Sequence, residues 1–230
     1  MEFVALALAG ILFLYSLYKL VKDDHVFIRK GISLEQTFDI AFTCIWSSFL
    51  VSRLFFLLVQ YPGQNIFFDF FSPKYAGFSL VGAILGAMIS LYLVSKTKKL
   101  PLGRVGDFLS LSFLSALPLG YFAGALIYSR TNMLHFIINT ISFLVLVLIF
   151  RKVFYPRLLN RSIREGTITI LFLLFFSLIS LGNTVVTYIR TMQMTVTGST
   201  IAVLLIMILS IVLYIKQEKP FTKHRRQINH

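Results

Sequence analysis

The sequence predicts an all-α integral membrane protein with seven transmembrane helices, N-terminus out and C-terminus in. Three observations carry this prediction. Seven apolar runs follow one another, each close to the ~20 residues that cross a hydrocarbon core. The 230-residue chain is 57% hydrophobic and only 13% charged, which is more apolar surface than a soluble domain of that size can hide. The basic residues fall in alternate connections, a pattern that fits an odd number of crossings.

The runs can be taken in order. Residues 3–21 form the first; they lack the charged leader and cleavage site of a signal peptide, so they read as a retained helix. The polar loop KDDHVFIRKGISLEQ follows, and residues 36–60 form the second run, which carries Asp39 and Arg53. The next loop, YPGQNIFFDFFSPKY, is aromatic and nearly uncharged. The third and fourth runs occupy residues 76–128 and are joined by the basic turn SKTKKLPLGR. Gly82 and Gly86 are spaced to share a helix face, as are Ala116, Gly120 and Gly124. Small residues at this spacing let a second backbone approach closely. The pair therefore reads as a central hairpin against which the other helices pack. Pro118 should kink the fourth helix beside Gly120. Residues 134–150 form the fifth run, ended by the basic loop RKVFYPRLLNRSIREG. Residues 167–189 and 199–215 form the last two.

The sidedness follows from charge. Connections on one side hold Lys19, Lys22, Arg29 and Lys30; Lys96, Lys98, Lys99 and Arg104; Arg151, Lys152, Arg157, Arg161 and Arg164; and Lys216, Lys219, Lys223, Arg225 and Arg226. The other side holds only Lys74, Arg130 and Arg190. Cytoplasmic loops collect Lys and Arg, so the rich side faces the cytoplasm. Residues 1–215 read as a single polytopic membrane domain and residues 216–230 as a basic cytoplasmic tail. The excess of 22 basic over 9 acidic residues is explained by these loops, and no nucleic-acid partner follows from it. The single cysteine, Cys44, excludes an intrachain disulfide and a cysteine metal site, and it reads as a small buried residue. No metal and no cofactor is expected.

Chemistry is sought among polar residues inside or at the ends of the helices, since these are costly in lipid. Arg53, Arg130 and Arg190 sit toward the outer side, with His135 at the start of the fifth helix. A guanidinium there either snorkels to headgroups or binds a phosphate or carboxylate. Together the four residues are few enough to converge on one anionic headgroup. Asp107 lies close to Arg104 and reads as its local ion-pair partner, and Asn183 reads as a hydrogen-bonding residue across helices.

Three stretches give the chain a resemblance to bacterial prolipoprotein diacylglyceryl transferases. SLEQTFDIAFTCIWSSFLVSRLFFLLV is similar to the family's second helix, including the arginine at Arg53. AGFSLVGAILGAMISLYLVSKTKKLPLGRVGDFLSLSFLSALPLGYFAGAL follows its glycine-rich helix, basic turn, LP, aspartate at Asp107 and small-residue helix. After it come a short outer turn, an apolar helix, a basic loop and a sixth helix ending at Arg190. The resemblance implies transfer of the diacylglyceryl group of phosphatidylglycerol to a lipobox cysteine. It also implies chemistry toward the outer face of a bacterial cytoplasmic (inner) membrane, and prolipoprotein signal peptides as partners beside an anionic phospholipid. It departs at the family's HGG, where Val81-Gly82-Ala83 stands, and at GRIGNF, where Tyr121 replaces the arginine and Gly124 the asparagine. The family's Tyr-Glu pair matches His135-Phe136. The implied site is then His135 as the catalytic group, with Arg53, Arg130, Arg190 and Tyr121 binding substrate. Three readings stay open. The first is a transferase with a rearranged site. The second is a non-catalytic relative that binds anionic lipid or a partner membrane protein. The third, a small transporter, would need a polar midplane path that these helices scarcely offer.

Overall fold

The computed structural model describes residues 2–22, 24–29, 31–61, 66–72, 77–127, 133–191 and 198–228. Regular structure among these residues is helical throughout. The elements are α1 (Glu2–Val21), α2 (His25–Arg29), α3 (Leu34–Gln60), α4 (Ile66–Asp69), α5 (Leu80–Thr97), α6 (Leu102–Ile127), α7 (Met133–Ile149), a π-helical turn (Phe150–Phe154), α8 (Tyr155–Leu159), α9 (Thr167–Thr191) and α10 (Gly198–Ile228). Among the described residues six helices are long and apolar enough to cross a membrane: Leu34–Gln60, Leu80–Thr97, Leu102–Leu126, Met133–Leu159, Thr167–Thr187 and Gly198–Gln217. The run expected as the first of seven forms α1, whose described apolar stretch is Ala7–Val21. It packs along α6 and buries Phe13, Leu17 and Leu20.

The core centres on α6, the most buried of the six spans. α1, α7 and α9 pack around it. α5 does not form a packed hairpin with α6, as the glycine spacing suggested. It lies along α3 instead. The glycine stripe itself is real, but its partner is the preceding helix. A Cβ at Gly86 would stand 2.6 Å from the Ser47 carbonyl oxygen, and one at Gly82 would stand 2.6 Å from the Phe55 Cβ. That closeness lets the Ser47 hydroxyl donate to the Gly86 carbonyl at 2.9 Å. Gly120, by contrast, faces open space, and α6 runs unbroken through Pro118.

The fifth run also ends later than the charge pattern implied. Arg151 and Lys152, read as the start of a loop, lie in the π-helical turn, and the helix continues to Leu159. Pro156 sits in the first turn of α8, where a missing N–H and a fixed φ are tolerated. Likewise α10 continues as helical backbone to Ile228, through residues read as the tail.

Four connections gather at one end of the bundle. Arg104, at the start of α6, forms a buried ion pair with Asp24, ahead of α2, and donates to the Leu158 carbonyl at 3.3 Å. Asp24 also accepts from the backbone N–H groups of Val26 and Phe27. The local pair expected between Arg104 and Asp107 is replaced by this longer-range one. Asp107 turns to α9 instead. It accepts from Gly166 N–H at 2.7 Å, Thr169 N–H at 2.9 Å and the Thr169 hydroxyl at 3.1 Å, so a carboxylate on α6 caps the N-terminus of α9. Gly166 takes φ +94°, a conformation that favours glycine. Gly103 admits the approach, since a Cβ there would stand 2.8 Å from the Glu165 carbonyl carbon. Arg164 and Gln217 then bond α10 to the same loop.

The α3–α5 seam generates a paired test. Gly86→Ala is expected to cost about 1–3 kcal/mol through overpacking, whereas Gly120→Ala should stay within about 0.5 kcal/mol of the parent. Thermal unfolding in detergent, followed side by side, reads the difference. Equal losses would refute the close approach.

Candidate functional site

Of the expected site residues, the side chains of Arg53, Tyr121 and His135 are described, away from the basic connections. α3 carries Arg53. Its side chain is only 6% exposed, and it is held by the connection between α3 and α5. Nε donates to the Phe70 carbonyl at 3.2 Å and Nη1 to that of Gly77 at 3.1 Å. Nη2 donates to the carbonyls of Asp69 at 3.3 Å and Ser72 at 2.9 Å. The guanidinium carbon also lies 5.9 Å from the Phe78 ring centroid. Such groups cannot go unpaired away from water. One guanidinium therefore serves carbonyls on both flanks of the connection and fixes its shape. Ser52 and Ser79 reinforce the clamp: the Ser52 hydroxyl donates to the Ser79 carbonyl at 2.7 Å, and Ser79 N–H donates back to the Ser52 carbonyl at 3.2 Å.

A second group forms where α6, α7 and α9 meet. Tyr121 stacks on Phe143, with centroids 5.2 Å apart and planes at 12°, and lies near Phe136. The Phe136 ring fills the space that a Cβ at Gly124 would need, at 2.7 Å. His135 sets an edge against the same Phe136 ring. From His135 a polar chain crosses the helices. Asn183 Nδ2 on α9 donates to Asn139 Oδ1 at 2.8 Å. The Asn139 amide nitrogen is thereby turned to His135 Nε2, at 3.2 Å. Which partner donates follows the imidazole tautomer: with the proton on Nδ1, Nε2 accepts from the Asn139 amide. Asn139 is buried in the apolar interior, so its two bonds offset a desolvation cost of about 1–3 kcal/mol.

The structure thus sets Tyr121 and His135 each against the Phe136 ring, and Arg53 bonds the described part of the connection before α5. Arg130 lies outside the described residues. Arg190 falls on α9, and its side chain lies outside the description. The cross-helix bond expected of Asn183 is present, and its partner Asn139 was not singled out from the sequence. A signal existed: Asn139 is a polar residue inside an apolar run, one helical turn after His135. Among the described residues no group of three or more His, Cys, Asp or Glu could hold a metal ion.

The family model for prolipoprotein diacylglyceryl transferase matches residues 3–127. That stretch holds α1 to α6, with Arg53, Val81, Asp107 and Tyr121, and it ends before His135. No curated protein and no solved structure matches the chain.

The Arg53 clamp is testable through the connection it holds. Loss of several charge-assisted hydrogen bonds worth about 1.5–3 kcal/mol should let Arg53→Ala open that segment roughly tenfold more often. Limited proteolysis between residues 61 and 79 should accelerate accordingly, with Arg53→Lys intermediate because an ammonium lacks the planar fork. Cleavage of all three proteins at one rate would show that the clamp holds nothing.

Proposed function

The chain belongs to the prolipoprotein diacylglyceryl transferase family, and from that premise we propose that it engages a phosphatidylglycerol-like anionic phospholipid and transfers its diacylglyceryl group to a lipoprotein cysteine. It is a multi-pass membrane protein. In the proposed arrangement it crosses a bacterial cytoplasmic membrane seven times. The end carrying Arg104, Asp107 and the basic connections faces the cytoplasm, and the end carrying Arg53 and His135 faces outward. The family match over residues 3–127 carries the reading.

In this reading the lipid headgroup enters beside Tyr121 and the His135–Asn139–Asn183 chain. The N–H groups of Arg53 hold the wall of the site, and Arg130 and Arg190 are the further substrate-binding arginines of this reading. The cysteine sulfur attacks the glyceryl carbon that bears the phosphate. A C–S bond forms, the C–O bond breaks, and the glycerol phosphate leaves with the electron pair. His135 takes the thiol proton at Nδ1, in the tautomer that carries its own proton on Nε2, with the Asn139 and Asn183 amides turned so that Asn139 Oδ1 accepts from Nε2–H.

A second reading, a relative that binds the lipid without turning it over, is favoured by the residues at the family's motif positions. Val81 stands where the family has histidine and Tyr121 where it has arginine, and Tyr121 spends its ring on Phe143. Each charge stabiliser missing from a pre-organised site typically costs about 10²–10³ in rate.

Both readings meet in one experiment. The chain is expressed in a strain depleted of its own diacylglyceryl transferase, and the mass of a reporter lipoprotein is followed. Gain of a thioether-linked diacylglyceryl group is the expected result. Unmodified reporter, with inserted protein that still co-purifies with phosphatidylglycerol, selects the binding reading, and Tyr121→Arg should then raise transfer. Retention of phosphatidylglycerol should fall about tenfold in Arg190→Ala, or about 1.4 kcal/mol. Neither thioether nor retained lipid would dispose of both readings.

A further inference from the structure

Arg151 belongs to no part of the site above. It lies in the continuous apolar helix Met133–Leu159, sixteen residues and ~24 Å beyond His135. Its Nη2 donates to Ser16 Oγ on α1 at 2.9 Å and to Ser115 Oγ on α6 at 3.0 Å. Both serines are buried, whereas Arg151 is exposed. The ion pairs among the described residues are Lys98 with Asp39 and Arg104 with Asp24. Arg151 has no carboxylate partner among them, and its protein hydrogen bonds use Nη2 alone.

Its depth makes this costly. Leu158 and Arg104 are bonded at the basic end of the bundle. Arg151 precedes Leu158 by seven residues, ~10 Å, and Ser115 follows Arg104 by eleven, ~16 Å. The side chain therefore reaches away from the basic end and into the span, along the direction that helical side chains lean. A cation that snorkelled to the nearer headgroups would point the other way. An exposed guanidinium at this depth calls for an anion.

We propose that Arg151, Ser16 and Ser115 form a seat for the oxyanion head of an amphiphile, a phosphate or a carboxylate, entering from the bilayer at the seam of α1, α6 and α7. The donor set suits that chemistry. Among the described residues no hydrogen bond claims Nε or Nη1 of Arg151. The Ser115 hydroxyl is committed to the Leu111 carbonyl at 2.8 Å, but the Ser16 hydroxyl reaches only Ser115 Oγ, at 3.5 Å. That is the limit of a hydrogen bond, so the Ser16 proton is free to turn to an anion. The seat offers donors and no anionic group, which fits an oxyanion and rejects a cation. A guanidinium fork binds such a head in two-point fashion.

The test uses the full chain in detergent, with bound amphiphiles counted by native mass spectrometry. Oleate, phosphatidate and phosphatidylcholine are the added probes. Arg151→Gln should weaken binding of an anionic probe at least tenfold and leave phosphatidylcholine unchanged. Whichever of oleate and phosphatidate responds identifies carboxylate or phosphate as the head. Ser16→Ala should weaken the same probe several-fold, and this variant decides the matter if Arg151→Gln fails to insert. His135→Ala should leave the response intact. Anionic binding that is absent in the parent, unchanged in the Arg151 and Ser16 variants, or lost instead in His135→Ala would overturn the seat without touching the transferase reading.

Discussion

Two acidic side chains at one end of the bundle hold its connections to the central helix. Asp24 reaches the Arg104 guanidinium, which in turn takes the Leu158 carbonyl, and Asp107 caps α9 from the side. Arg104, Asp107 and the glycines that give them room stand within the first two turns of α6. Each charge is deep, so neither carboxylate could be left alone; removing one member of such a buried pair costs about 3–5 kcal/mol. The arrangement fixes where α2, α8 and α9 begin or end. It leaves the opposite end of the molecule to be shaped by other means.

At that opposite end the means are a cation and backbone carbonyls. Arg53 organises the segment before α5 through the backbone carbonyls of Asp69, Phe70, Ser72 and Gly77. The contrast has a physical basis. Carboxylates at the basic end are balanced by a surplus of Lys and Arg, while the other end has few charges of either sign. Neutral hydrogen-bonded groups such as the His135–Asn139–Asn183 chain are cheaper there.

The outline of the fold was legible because hydropathy and loop charge act through composition, and composition is written along the chain. Helix existence and the gathering of basic loops at one end follow from it. Partnership was not legible. Gly82 and Gly86 announce a close approach without saying to which helix, and packing chose α3 over α6. The pairing of Arg104 with Asp24 spans eighty positions, and nothing local distinguishes it from the nearer Asp107. Asn183 could be read as a cross-helix donor, since an amide in lipid must bond to something, and Asn139 stood out as a polar residue in an apolar run, yet that the two are partners is set by the packing of α7 on α9. Arg53 lies on the helix of the second run, α3, and the partners described for it are carbonyls, which carry no sequence signature.

The π-helical turn at Phe150–Phe154 has a geometric consequence. Asn139, Phe143, Leu146 and Phe150 form one buried stripe along α7, and Leu158 is buried beyond the turn. Eight residues of regular helix would rotate Leu158 about 80° away from Phe150, whereas seven would leave it within about 20°. The turn absorbs the surplus residue. It resets the angular phase of the helix, so that its final stretch still confronts Arg104. Excising a single residue there would preserve the alignment of Leu158 while swinging Arg151 or its neighbours around the axis, which makes this short segment the place where the helix can change its aim without changing its address.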